Sequence, residues 1–65
     1  MEKRDLRTWR RLRNMSQDKL ADKADISRTT LFNYEQNGLA SASIYTLTAL
    51  LRALDIEFDQ LDLKL

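Results

Sequence analysis

The apolar positions of this 65-residue chain recur at intervals of three and four rather than two, the spacing of helices that bury one face. Leu6, Trp9 and Leu12 place a first helix over residues 5–13. Ser16 is a favourable N-cap, and Asp18 falls in the turn that follows, where the helix dipole favours negative charge. The second helix therefore starts after Ser16 and runs to Ala24, with Leu20, Ala21 and Ala24 on one face. Ser27 is the next N-cap, and a third helix covers residues 28–36 with Ile26, Leu31 and Tyr34 along its apolar side. Asn37-Gly38 is its stop signal, since these residue types let the chain leave a helix in left-handed backbone. The ASAS segment reads as a loop. Ser43 caps a fourth helix, in which Ile44, Leu47, Leu50, Leu51 and Leu54 form the strongest stripe of the chain. A short fifth helix over residues 57–61 uses Phe58 and Leu61 to close the core. The predicted fold is all-α, five helices in one domain spanning residues 1–65, with no proline and a single glycine to interrupt it.

The period changes only at the end. Leu61-Asp62-Leu63-Lys64-Leu65 alternates apolar and polar residues, as a strand does. A strand with no partner in a helical chain is expected to pair with its copy in a second subunit. Leu61, Leu63 and Leu65 are thus candidate dimerisation residues, within a segment covering 55–65. A frayed end, or the cut edge of a longer protein, accounts for the same pattern equally well.

Composition removes whole classes of chemistry. A domain this small buries only about 60% of its unfolded surface, so it has one core and little room for a deep pocket. Cysteine and histidine are absent, which excludes disulfides, zinc ribbons and histidine-based catalysis. Asp18 and Asp22 lie on an exposed helix without a partner acid or nucleophile, so neither an enzyme nor a cofactor is expected. The lone Gly38 excludes a glycine-rich phosphate loop. No apolar run approaches the roughly 18 residues of a membrane span, and the charged start MEKRDLRTWRR has no signal-peptide run behind it. The chain is expected to be soluble and cytoplasmic.

The net charge is only +1, but it is unevenly spread. Nine basic and five acidic residues give positions 1–34 a charge of +4, while two basic and five acidic residues give positions 35–65 a charge of −3. That division turns one half toward an acidic partner. A solvated, charged first helix explains it as well.

Function begins to show in the spacing of the second and third helices. They are joined by the short turn Asp25-Ile26-Ser27, which suits the steep crossing of a helix-turn-helix over about residues 17–36. Ala21 is the small residue needed where the two helices touch, and Leu20, Ala24, Ile26, Leu31 and Tyr34 supply the buried positions. A helical hairpin inside another all-α bundle would show a similar stripe, so the pattern alone leaves a DNA reader and a plain bundle both open.

The run LRTWRRLRNMSQDKLADKADISRTTLFNYEQNG resembles the Xre and lambda-type phage repressor family of helix-turn-helix domains, and the likeness continues through the fourth and fifth helices. It rests on Leu6, Arg7, Trp9 and Arg10, then Ser16-Gln17, Leu20-Ala21, Ile26-Ser27 and Tyr34-Glu35 at one common spacing. The resemblance implies a domain that binds operator double-stranded DNA as a homodimer, its third helix in the major groove. It also implies a phosphate contact from Gln17 and a structural ion pair between Arg10 and Glu35. Small members with a strand-like tail resemble antitoxins that repress their own promoter and bind a toxin protein; phage repressors and restriction-modification controllers are the other family roles. Two positions depart from the pattern. Asp25 stands where the family usually has glycine, and the loop after the third helix is one residue longer and lacks the usual proline, which weakens any phosphate contact from residues 39–43.

On a helix of 3.6 residues per turn, Arg28, Thr29, Phe32 and Asn33 fall away from Leu31 and Tyr34. Arg28 suits a bidentate contact with guanine and Asn33 one with adenine, while Thr29 can meet several bases. Phe32 is costly to expose unless thymine methyls, or Ser41 and Tyr45 of the following loop, cover it. Ser27, Thr30 and Asn37 are candidate phosphate contacts beside Gln17, with a plain N-cap as the alternative role of Ser27. Arg7, Arg11 and Arg13 are expected to be mainly solvated, with one of them near a phosphate. A protein-interaction module built on the same fold is the competing reading; it would carry a more apolar third-helix face and a less basic first half.

Overall fold

The computed structural model describes residues 3–63. In chain order these form β1 (Arg4–Asp5), α1 (Leu6–Leu12), α2 (Gln17–Lys23), α3 (Arg28–Asn37), α4 (Ile44–Leu54), a single 3-10 turn (Phe58–Gln60) and β2 (Leu61–Asp62). Each helix begins at a side-chain cap. Asp5, Ser16, Ser27 and Ser43 accept the backbone N–H three residues on, from Thr8, Lys19, Thr30 and Thr46 respectively, satisfying donors that the first turn would otherwise leave open.

Every helix also ends at a residue with positive φ: Asn14, Asp25 and Asp55 near 57°, and Gly38 at 90°. After α1, α2 and α4 the chain closes in the same way. The N–H of the next residue reaches back to the last turn, Met15 to the Arg10 carbonyl, Ile26 to that of Ala21 and Ile56 to that of Leu51, at 3.0–3.1 Å. This is the Schellman closure, and in all three the residue after the turn is apolar and packs against the core. Gly38 differs, with ψ at −178°, a region open to glycine alone. There the chain leaves extended, and Leu39 enters the core.

The core joins Leu6 and Trp9 of α1, Leu20 and Ala21 of α2, Ala24 just beyond it, Leu31 of α3, Leu39, Leu50 and Leu54 of α4, and Leu61. At about 0.05–0.15 kcal/mol per residue a chain of this length is stable by only about 3–10 kcal/mol. Truncating one fully buried leucine to alanine costs about 2–5 kcal/mol. One such truncation therefore removes a large share of the stability.

Several expectations change. Leu12 and Ile44 are half or more exposed rather than core residues, because each lies six positions from a buried leucine, Leu6 or Leu50, and so about 120° around its helix. Four α-helices are found among the described residues, not five. The fifth is one 3-10 turn, in which the Glu57 N–H donates to Gln60 Oε1 at 2.8 Å, and it stops because Leu61 must be extended to pair. Phe58 consequently stays exposed while Leu61 is buried.

The strand-like tail finds its partner at home. β2 pairs in parallel with β1, Arg4 opposite Leu61 and Asp5 opposite Asp62, and the Leu63 carbonyl accepts from the Leu39 N–H at 3.0 Å. Leu61 is 2% exposed, so its side chain belongs to the chain's own core. Leu63 packs at the edge of that core. Leu65 lies outside the described residues.

Candidate nucleic-acid interface

α2 packs across α3 with Ala21 buried at the crossing, and the connecting turn holds Asp25 in left-handed backbone. Where α3 begins, Ser27 Oγ accepts the Thr30 N–H at 3.0 Å and donates to Thr30 Oγ1 at 2.8 Å. The Ser27 hydroxyl proton is thus engaged within the cap, whereas Thr30 keeps its own proton for an outside acceptor. Asn37 is the last helical residue and is exposed. Ten residues separate the ends of α3 by about 15 Å, so Ser27 and Thr30 bracket one end of the outward face and Asn37 the other.

Arg28, Thr29, Phe32 and Asn33 are all exposed. Gln36, also exposed, falls between Phe32 and Thr29 on the same face; the helical angle alone could have found it. Tyr45 is 84% exposed and provides little cover for Phe32, itself 48% exposed. Phe32 instead lines an open cleft of about 470 Å³ between the starts of α2 and α3, together with Arg7, Gln17, Arg28 and Gln36. The larger cleft, about 780 Å³, runs between α2 and the end of α4, past Arg13, Lys19, Lys23 and Asp55, and touches no residue of α3.

Beneath the outward face of α3 lies a buried charge. The Glu35 side chain is 1% exposed and meets Arg10 in two contacts, Nε to Oε2 at 2.7 Å and Nη2 to Oε1 at 3.3 Å. Arg10 Nη1 also donates to the Met15 carbonyl at 2.9 Å. The Gln17 amide donates to Glu35 Oε1 at 3.3 Å, so this side chain anchors α2 to α3 with one N–H and retains the other. Three elements are thereby held in register by one carboxylate, as a buried charge must be multiply paired to be tolerated.

The arginines of α1 and its end divide. Arg7 lines the α3 cleft. Arg13 is exposed as expected, and it also donates to the carbonyls of Leu54 and Asp55 at 2.7 and 3.4 Å and lies 5.3 Å from the Trp9 ring centre. There it satisfies the last carbonyls of α4, which point at it because the helix ends there.

Comparison with curated proteins and with solved structures returns no significant match. A family model described as helix-turn-helix matches residues 6–61. That span runs from the first residue of α1 to the first of β2, and the chain therefore belongs to the helix-turn-helix family of the Xre and lambda-repressor type, a family of DNA-binding transcription regulators.

Proposed function

We propose that this protein is a sequence-specific operator reader acting as a repressor, with α3 in the major groove and two copies on the halves of a palindrome. The observation that carries this reading is the outward face of α3, where Arg28, Thr29, Phe32, Asn33 and Gln36 stand exposed and serve no packing role in the core. Arg28 reads guanine O6 and N7, Asn33 or Gln36 reads adenine, and Phe32 and Thr29 meet thymine methyls. Thr30 and Asn37, the Gln17 amide and the Ser27 backbone N–H hold the phosphates on either side. One helix of this length covers too few base pairs to select a site in a genome, so a second half-site about 34 Å away supplies the rest through a homodimer.

Selection from a randomised duplex pool tests the proposal, followed by titration of the selected site with wild type and Arg28→Ala. Enrichment of a palindrome, two chains per duplex, and relaxed preference at one base pair per half-site in Arg28→Ala are the expected results. Weak binding that is indifferent to sequence and to Arg28 would overturn it in favour of a protein-binding role for the same face.

A further inference from the structure

Asp18 is an acid on the edge of a surface that faces DNA in the function proposed above, and the present inference rests on that reading. It sits in the first turn of α2 with its side chain 77% exposed, and its Oδ1 lies 3.7 Å from Nε of Arg28, the first residue of α3. Both residues line the cleft that Phe32 and Gln17 floor. Near phosphates a carboxylate lowers affinity for any duplex, whatever its sequence. Beyond the helix-dipole stabilisation that its first-turn position brings, a carboxylate at this cleft serves the proposed function by improving the choice among sequences.

The geometry gives that use. At 3.7 Å the pair is an ion pair and not a hydrogen bond, and with Arg28 66% exposed it is loose in the free protein. Its contact is at Nε, on the side edge of the guanidinium, which leaves the end-on edge formed by the two Nη groups available as a fork for guanine. Closing a duplex over the cleft removes water from the pair and strengthens it. We infer that Asp18 is a positioning residue for base reading, holding the Arg28 fork toward guanine while lowering affinity for duplexes in general. It acts through Arg28 and does not itself read a base.

The test uses the selected operator and variants substituted at each base pair, bound by wild type, Asp18→Asn, Arg28→Ala and the double variant. Asp18→Asn is expected to raise affinity for unrelated duplex about two- to threefold. The same change should reduce discrimination about three- to tenfold at the base pair read by Arg28 and at no other. With Arg28→Ala already present, Asp18→Asn should no longer alter base preference. Helix capping or a general charge effect would leave discrimination unchanged in Asp18→Asn, and that result overturns the inference while the operator reading stands. A loss at a different base pair, or one that persists without Arg28, shows direct reading by Asp18 and overturns it too. A wild type that selects no site removes the operator reading and this inference together.

Discussion

Three of the four helix ends place a residue other than glycine in left-handed backbone, and Asp25 does so at the turn between α2 and α3. Left-handed backbone costs an ordinary L-residue roughly 1–2 kcal/mol, though Asp and Asn tolerate it better than most. Glycine removes that cost and adds about 0.5–1 kcal/mol of unfolded-state freedom. Asp25→Gly is therefore expected to stabilise the fold by about 0.5 kcal/mol, raising the melting temperature by roughly 2–4 °C. A fall in melting temperature would show that the Asp25 side chain stabilises the turn by more than its backbone costs. Asp25 and Gly38 were legible from sequence, one as a departure from a family glycine and one as the only glycine. Asn14 and Asp55 were missed, because neither is a residue type that forces the conformation. Their sign was a pair, a small polar residue followed at once by an apolar one, in Asn14-Met15, Asp25-Ile26 and Asp55-Ile56 alike.

Among the elements, those set by local contacts were readable and those set by distant ones were not. The serine caps, the extents of α2 and α3 and the start of α4 depend on residues three or four apart, so the pattern predicted them to within a residue. The partner of the tail depends on Arg4 meeting Leu61 across almost the whole chain, and nothing in the alternation of Leu61 and Leu63 says which strand they pair with. The consequence is measurable. Leu61→Ala should destabilise the fold by about 2–5 kcal/mol, seen as a large drop in melting temperature at every protein concentration. A variant that stays folded and merely loses a dimer would return Leu61 to the interface. The Arg10–Glu35 pair ties elements together in the same way. Removing one partner of a well-buried pair costs about 3–5 kcal/mol, so Glu35→Ala should leave little folded protein by circular dichroism at 25 °C. An unchanged melting curve would mean that Gln17 and water suffice to satisfy Arg10.

For the molecule as a whole, the division of charge pointed to an acidic partner, but several of the arginines that make it are engaged by groups of the same chain. Arg10 is held by Glu35, Arg13 by the end of α4, and Arg4 lies 5.5 Å from the Trp9 ring centre. Lys19 and Lys23 line the other cleft, away from α3. Among the described residues, two cations, Arg7 and Arg28, line the cleft between α2 and α3 without a buried partner. The proposed phosphate contacts Gln17, Ser27, Thr30 and Asn37 are neutral and release no counterions. Each phosphate neutralised contributes about −0.9 to the slope of log affinity against log salt. With Arg28 on guanine, a dimer in which Arg7 neutralises one phosphate per chain should then show a slope of about −2, and no steeper than about −4 if Arg28 counts as well. Fluorescence anisotropy on the selected operator from 50 to 300 mM salt, concentrations chosen as roughly spanning the usable range, measures it directly. A slope near −10 would require Arg11, Lys19 and Lys23 to reach the backbone as well. That would put the α1 and α2 surfaces on DNA and change which face of the molecule the operator meets.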